Sequence, residues 1–344
     1  MATEVFAPAS PAQRLRRATR ENAALVAMMA CYVAVCFFVA RAAAVPFSLK
    51  LYGVLWLVMA VAVGAAAVAR PVLPRAWRIS ERLTVAAPVL LAAPAFFSAF
   101  TSLKSGITRL HPYTWDAVVA GWDRMIFGQD AWRVLQPLLG HPPVTFALSV
   151  LYSAWHPAMI TVFGGLTLSL GRPVLRAQAL IALVACWAVL GTWGAVALAS
   201  VGPCFIGPLH LGADPFAEQA AYLRAANQQL PIWEFAEQNR LLAAAASGKP
   251  VLGSGISAMP SMHIAVAMLM MLVGWRFGRT AGIVGSVYLA IIVIASIHLG
   301  WHYAMDGVVG AAGAWVLWLA GGVVARLTVP ELSTSAASRL TPAR

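Results

Sequence analysis

The chain has 344 residues, of which 61% are hydrophobic and only 10% are charged, and its mean hydropathy is +0.78. Soluble domains carry roughly 25% charged residues, so this composition excludes a water-soluble fold as well as intrinsic disorder. The 24 Lys and Arg outnumber the 12 Asp and Glu, which gives a net charge of +12. In a membrane protein such an excess usually orients the chain, and we expect no nucleic-acid partner.

The sequence contains several apolar runs near the length of about 20 residues that crosses a bilayer core of roughly 30 Å. They are expected to be helices, because only helices and closed barrels satisfy their backbone groups in lipid, and no alternating pattern supports a barrel. The sequence therefore predicts an all-α integral membrane protein with about eight transmembrane helices. The eight runs lie at 23–43, 50–69, 83–103, 143–168, 178–201, 259–275, 280–300 and 303–325.

The basic residues orient these spans. Two tails and three short connections lie on the same side of the membrane if the eight spans alternate. These short segments contain fifteen of the 24 Lys and Arg. The positive-inside rule then places both termini in the cytoplasm. The two long connections, 104–142 and 202–258, face the periplasm or exterior. We expect a multi-pass protein of the cell's inner (plasma) membrane.

A first group of chemically active residues lies at the start of the last span. Asp306 is the one acidic residue within the predicted spans. Ionisable residues within membrane spans usually have a function, so Asp306 is a candidate site residue. His298, His302 and Asp306 are spaced by four, so that they share a face if the helix is continuous. The predicted orientation puts this group at the outer boundary of the membrane.

A second group joins a glycine-rich segment, 253–258, to the sixth span. Pro260 suits a first helical position, which would leave the amides of Ser261, Met262 and His263 free in the first turn. Free amides and the helix dipole favour a bound phosphate. The same orientation places His263 on the outer side, where His302 lies.

Two histidines and one aspartate suit phosphoryl transfer. A neutral imidazole attacks phosphorus, and the carboxylate holds it in the right tautomer and stabilises its developing charge. The other imidazole, when protonated, gives its proton to the leaving oxygen. No metal or other cofactor is required if cations and amides neutralise the phosphate.

At these residues the chain resembles the type 2 phosphatidic acid phosphatase superfamily, in its inositol-phosphorylceramide-synthase-like branch, over about 95–320. The run Pro260-Ser261-Met262-His263 resembles the second motif of that superfamily, Pro-Ser-x-His. His302 and Asp306 match the third motif, His-x-x-x-Asp. The first motif, Lys-x6-Arg-Pro, is degraded: Lys104 is followed at the expected distance by His111 and Pro112.

The resemblance implies a six-helix catalytic core with outer loops 104–142 and 202–258, a phosphohistidine at His302, a general acid at His263 and no metal. Its substrates would be lipid phosphates, lipid diphosphates or phosphodiester lipids in the bilayer. The oligomeric state is left open. The predicted division of the chain is a cytoplasmic basic tail at 1–22, two N-terminal helices at 23–80, the core at 81–325 and a cytoplasmic tail at 326–344.

The phosphate-clamping Arg of the third motif is missing, because Ala295 and Ser296 occupy the usual Ser-Arg positions. Members related to the ceramide transferases also tend to lack it. We therefore expect Lys104 to bind the phosphate, with Arg109 as a weaker candidate. A phosphodiester carries one negative charge instead of two, so a phosphate site without this Arg could still bind it. The missing Arg therefore favours a phosphodiester substrate and headgroup transfer of the phosphorylceramide-synthase type.

Several alternatives stay open. Hydrolysis of lipid phosphates or prenyl diphosphates shares its first half-reaction with transfer. A transporter would place several ionisable groups near the midplane, and a scaffold would have a decayed site. His298 could contact phosphate or simply hydrogen-bond a loop, and together with His302 and Asp306 it could bind a metal. Lys104 could be an interfacial residue whose ammonium reaches the headgroups.

Overall fold

A computed structural model describes residues 11–69 and 74–329. Every regular element in these residues is helical, as the hydropathy predicts. The predicted tails lie partly outside the described residues, which do not include 1–10 and 330–344.

Three helices lead the chain into the bundle: α1 (Pro11–Ala42), α2 (Gly53–Ala69) and α3 (Pro74–Ser105). The first long connection then forms three short helices, α4 (Ile107–Leu110), α5 (Asp116–Phe127) and α6 (Ala131–Leu139). The next span is a composite of α7 (Pro142–Ser153), α8 (Trp155–Met159), a π-helical segment (Ile160–Gly164) and α9 (Gly165–Thr167).

A second composite span consists of α10 (Pro173–Ala185), a π-helical segment (Cys186–Gly194) and α11 (Ala195–Ala197). The second long connection contains α12 (Pro203–Ile206), α13 (Ala217–Gln229) and α14 (Glu234–Ser247). The chain ends with α15 (Met262–Phe277), α16 (Arg279–His298) and α17 (Ala304–Thr328).

Within the described residues, six helical stretches are long and apolar enough to cross a membrane: Ala18–Ala42, Ile79–Ser105, Pro142–Thr167, Pro173–Ala197, Arg279–His298 and Ala304–Thr328. The other two predicted spans correspond to shorter apolar helices, Gly53–Ala62 and Met262–Phe277. Large apolar side chains such as Phe38, Val284 and Leu327 are exposed, as expected where a helix faces lipid tails.

The helices of the core pack around α15, which contacts α16 and α17, while α10 packs against α17 and α1 against α3. Small residues allow close approach. A Cβ added at Gly310 of α17 would lie 2.5 Å from the carbonyl oxygen of Ser261, just before α15. The backbones of α17 and of the segment that begins α15 are therefore in direct contact.

The two long connections pack together at one end of the bundle. The Tyr113 hydroxyl donates to the Ile256 carbonyl at 3.0 Å, and Arg133 pairs with Glu218 at 2.6 Å. The second connection is closed at its base, because the Ala258 amide donates to the Ser200 carbonyl at 2.9 Å. The two long connections are therefore in contact with each other, and the side of the membrane that they face stays a prediction.

The opposite end carries basic residues of the short connections. Arg172 donates to the carbonyl of Arg276 at 2.7 Å, and the buried Arg176 donates to Asn22 of α1 at 2.8 Å. Asn22 in turn donates to the Val85 carbonyl of α3 at 2.9 Å. Basic segments that are distant in sequence thus meet at one end, as the charge pattern predicts.

Candidate active site

The pair His302 and Asp306 is buried where the two long connections cover the bundle. Nδ1 of His302 lies 3.2 Å from Oδ2 of Asp306, and the two residues are 6% and 0% exposed. The same carboxylate oxygen accepts the Tyr303 amide at 3.0 Å. With Nδ1 engaged by the carboxylate, Nε2 is the ring nitrogen that stays available for chemistry.

His298, His302 and Asp306 do not lie on one continuous helix, in agreement with the break predicted between the last two spans. α16 ends at His298 and α17 begins at Ala304, with a turn between them. Gly300 in this turn has φ +78°, a conformation that suits glycine. The Ser296 carbonyl accepts the amides of Trp301 and His302 at 3.0 and 3.2 Å. Asp306 reaches His302 because it lies in the first turn of α17 and its side chain folds back over the helix start.

Two aspartates of the first long connection hold the segment that follows His302. Asp123 is 3% exposed and accepts the amides of Ala304 and Met305, the first two residues of α17, at 2.8 and 3.1 Å. Burial raises the pKa of this carboxyl, and the two amides act in the opposite direction. Asp116 accepts the hydroxyl of Tyr303 at 2.9 Å.

The sequence analysis did not predict the anchoring role of these two acids. Asp116 also accepts the amides of Val201 and Gly202 at 2.9–3.1 Å, so it joins two connections to the last span. The available signal was the seven-residue spacing of Asp116 and Asp123, which puts both carboxylates on one face of α5.

The start of α15 differs from the prediction. Pro260 is not a first helical residue: Ser261 is the N-cap, and its hydroxyl accepts the Ile264 amide at 3.4 Å. The Ser261 amide is not free, because it donates to the Asp306 carbonyl at 3.0 Å. This hydrogen bond joins the two motifs directly. The amides of Met262 and His263 have no hydrogen bond within the described residues, as expected for a first turn.

His263 faces His302 with the ring centroids 6.1 Å apart. Its ring is stacked on Tyr152 at 4.6 Å and packs against Trp155 at 4.5 Å. Trp155 also donates its indole N–H to the His263 carbonyl at 2.9 Å. The aromatic rings of α7 and α8 therefore fix the orientation of His263, and two imidazoles from different helices face one small space.

The other predicted site residues are distributed around this centre. Lys104 lies in the last turn of α3, and its ammonium is 5.6 Å from the Phe100 ring centroid. Arg109 is exposed and donates to the Ala44 carbonyl at 2.7 Å. His298 is 1% exposed, and its Nε2 lies 2.9 Å from the Thr145 hydroxyl. The structure thus gives Arg109 and His298 other partners, and the phosphate contact of Lys104 stays a prediction.

Metal-binding arrangements of three or more His, Cys, Asp or Glu are absent from the residues that the structure describes. The amides of Met262 and His263, at the start of α15, are donors of the kind that suit an anion. The arrangement thus brings together two imidazoles, a carboxylate and a helix start with unpaired amides.

Residues 117–320 match the PAP2 superfamily. This stretch runs from α5 to α17, covers more than half of the chain and includes His263, His302 and Asp306, but not Lys104. The chain therefore belongs to the PAP2 superfamily, and membership supports a function of the lipid-phosphatase type. Searches among curated proteins and among solved structures gave no match.

Proposed function

We propose that the chain is a membrane lipid phosphatase or phosphotransferase that acts through a phosphohistidine at His302. The observation that carries the proposal is the His302–Asp306 pair facing His263, with ring centroids 6.1 Å apart, beside unpaired amides at a helix start. Membership of the PAP2 superfamily supports the same chemistry.

In the first half-reaction, Nε2 of His302 attacks phosphorus while the Nδ1 proton is held by Asp306. The N–P bond forms as the bond from phosphorus to the leaving oxygen breaks. Protonated His263 gives its proton to that oxygen. The amides of Met262 and His263 and the Lys104 ammonium stabilise the charge on the phosphoryl oxygens.

In the second half-reaction, an acceptor hydroxyl attacks the phosphohistidine. The new P–O bond forms, the N–P bond breaks, and neutral His263 takes the proton of the acceptor. Water as acceptor completes a hydrolysis, whereas the hydroxyl of a lipid completes a transfer. Because both share the first half-reaction, the choice depends on which acceptor reaches His302.

We propose transfer of a phosphodiester headgroup, of the phosphorylceramide-synthase type, with hydrolysis of lipid phosphates or prenyl diphosphates as the second candidate. Two observations favour transfer. The third-motif Arg is missing, and His302 is only 6% exposed beneath the outer helices, which limits access of water. We place the site at the outer, periplasmic face of the inner membrane, with cytoplasmic termini, from the positive-inside rule.

The test measures phosphate release and headgroup transfer by the purified protein in detergent with chelator present. Radiolabelled phosphatidate, prenyl diphosphate and phosphatidylinositol are supplied with and without ceramide or diacylglycerol. We expect turnover and a base-stable, acid-labile phosphoprotein in the wild type, and neither in His302→Ala. Transfer without release of the phosphorylated headgroup identifies a synthase, and release identifies a hydrolase. Turnover only when metal is restored contradicts the histidine mechanism.

A further inference from the structure

A groove lies on the outside of the N-terminal helices. It is an apolar cavity of about 530 Å³ between α1, α3 and the connection that follows α1. Its wall on α1 runs from Val26 to Phe38 at helical spacing, and Ala92 and Ala95 of α3 form part of the facing wall. All of the lining side chains are apolar, and this part of α1 belongs to a stretch long enough to cross the membrane. The groove therefore faces lipid tails.

The length of the groove fits the tail of one lipid in one leaflet. Twelve residues separate Val26 from Phe38, so at 1.5 Å per residue this wall is about 18 Å long. The bilayer core is roughly 30 Å thick, and one leaflet contributes about 15 Å of it. The small side chains of Ala30 and Ala34 line the middle of the wall. A lipid tail in the groove would gain dispersion contacts along its whole length.

The end of the groove at the connection between α1 and α2 is fixed by hydrogen bonds. Ser48 lies between two lining residues, Phe47 and Leu49. Its amide donates to the Ser102 hydroxyl of α3 at 3.1 Å, and that hydroxyl donates to the Ser48 carbonyl at 3.2 Å. The rings of Phe37 and Phe47 meet with centroids 5.7 Å apart. The connection therefore forms a fixed wall at this end of the groove.

Basic residues flank the same end. Arg41 lies in the last turn of α1, and Lys50 directly follows the lining residue Leu49; both side chains are exposed. Arg109 adds a third guanidinium, because it donates to a carbonyl of this connection at 2.7 Å. The sequence from 41 to 52 contains no Asp or Glu. This end of the groove thus carries positive charge, which attracts anionic lipid headgroups.

The groove is separate from the reaction centre. Lys104 lies nine residues after the lining residue Ala95, which is about two and a half helical turns and puts the two on opposite sides of α3. The Lys104 ammonium approaches the Phe100 ring, and that ring contacts Trp187 of the second composite span at 4.9 Å. Lys104 therefore faces the core of the bundle, whereas the groove faces the bilayer. A lipid in the groove does not reach His302.

We propose that the groove binds one acyl chain of an anionic phospholipid, and that Arg41 and Lys50 bind its phosphate. This lipid is an accessory ligand and not a substrate, so the proposal does not depend on the proposed function. It contacts α1, α3 and the connection together, and it thereby stabilises the packing of the N-terminal helices.

The binding test is native mass spectrometry of the purified, delipidated full chain in detergent. The probes are dipalmitoyl phosphatidylglycerol and dipalmitoyl phosphatidylcholine, which differ in net charge but not in their tails. We expect one saturable phosphatidylglycerol per chain, bound about 10-fold more tightly than phosphatidylcholine. Replacement of both cations, Arg41→Gln with Lys50→Gln, should remove this preference and keep phosphatidylcholine binding within about 2-fold of the wild type.

Filling the groove tests the acyl-chain part of the proposal. Ala34→Phe should weaken binding of both lipids by about 10-fold, because the ring displaces several methylene groups of the tail. Ala30→Leu adds less volume and should cause a smaller loss. The matched control is Ala27→Phe, because Ala27 is exposed on the same helix but does not line the groove. The Tm of each variant is measured, so that a loss of binding is not mistaken for a loss of fold.

Each part of the proposal can fail. Equal affinities of the wild type for the two lipids overturn the role of Arg41 and Lys50. Unchanged lipid binding by Ala34→Phe, or an equal loss in Ala27→Phe, overturns the groove as the binding site. Binding that does not saturate at one lipid per chain describes ordinary lipids around the protein and contradicts a specific site.

Stability and turnover distinguish an accessory lipid from a substrate. Phosphatidylglycerol should raise the Tm of the wild type and of His302→Ala, but not that of Ala34→Phe. Ala34→Phe should keep the KM for phosphatidate and phosphatidylinositol within about 2-fold of the wild type. A KM raised about 10-fold would place the substrate in the groove and overturn the accessory role. If the chain turns over neither donor, the proposed function fails, and lipid binding and Tm alone decide on the groove.

Discussion

At His302 the direction of attack depends on which ring nitrogen is occupied. Asp306 engages Nδ1 at 3.2 Å, and this leaves Nε2 to meet phosphorus on the side where His263 lies. The role of His263 as a proton donor therefore leads to a prediction that separates it from a residue that merely supports the fold.

His263→Ala should slow departure of a poor leaving group by about 10²–10⁴-fold, because an alkoxide needs the proton. Release of nitrophenolate should fall much less, since that anion is stable without a proton. The measurement is the rate of phosphoprotein formation from an alkyl ester and from a nitrophenyl ester. Equal losses for both esters would remove His263 from proton transfer.

Glu234 has a predictable effect on the pH dependence of stability. Burial raises the pKa of its carboxyl above the ordinary value of about 4.3, although the Ser149 and Ser153 hydroxyls oppose the shift. The folded chain thus keeps this proton to higher pH than the unfolded chain. Protonated Glu234 therefore contributes to the free energy of unfolding. This contribution is fully present below the pKa of the carboxyl in the unfolded chain, and it is lost as the pH rises through the pKa of the carboxyl in the folded chain.

Glu234→Gln carries no titrating group and should escape this loss. We expect its Tm relative to the wild type to rise as the pH increases above about 4, because only the wild type then loses the stability of the protonated carboxyl. Thermal unfolding in detergent across that range measures the difference, with Glu218→Gln as the control. A Tm difference that stays constant with pH would show that Glu234 does not change protonation on unfolding.

At the scale of the elements, α17 and the segment before α15 are joined by backbone contacts. Gly310 lies against the backbone of Ser261, and the Ser261 amide donates to the Asp306 carbonyl. The motif that contains His263 and the motif that contains His302 and Asp306 therefore keep their separation only while a glycine occupies position 310.

Gly310→Ala should push α17 away from Ser261, because the new Cβ meets a backbone oxygen at 2.5 Å and cannot rotate away. Overpacking of this kind costs about 1–3 kcal/mol, and the altered separation of the histidines should lower kcat by about 10²-fold. Tm and kcat are measured together, with Gly165→Ala as control, because nothing lies within 4 Å of its Cβ position. A fully active Gly310→Ala would contradict a fixed separation.

The sequence predicted the elements that depend on local pattern and composition. The all-helical membrane fold follows from hydropathy and is confirmed, with six long spans and two shorter apolar helices among the described residues. The side on which the long connections lie follows from charge and stays a prediction. The meeting of His263 with His302 followed from the motifs and the orientation. The roles of these residues in catalysis stay predictions.

Other features depend on partners that are distant in sequence. The occupied amide of Ser261 could not be read from spacing, because it is fixed by a long-range hydrogen bond to the Asp306 carbonyl. Hydropathy did predict a break between the last two spans, but not the turn at Gly300 that leads from His298 to His302. Asp123 caps a helix that begins 181 residues later, so no local signal reveals its target. The π-helical segments were also missed, since apolar periodicity does not distinguish them from α-helix.

At the scale of the whole molecule, the arrangement of the two ends leads to a topology prediction. Ala225 lies exposed on α13 at the end that covers the site, and Thr280 lies exposed in the first turn of α16, at the end of the bundle that carries Arg276 and Arg279. In a variant without native cysteines, Ala225→Cys should react with a membrane-impermeant maleimide on intact cells. Thr280→Cys should react only after permeabilisation. The reverse pattern would place the active site in the cytoplasm.

The closed base of the second connection has a consequence for how such a protein can diversify. Ser200 accepts the amide of Ala258 through its carbonyl and that of Met259 through its hydroxyl, so the chain leaves the bundle and returns at one point. Insertions, deletions or exchanges in the segment between Ser200 and Ala258 need not displace Pro260 or the helix α15 that follows it. We therefore predict that recombination can replace the second long connection as one unit while the helices that carry His263 and Asp306 stay in place.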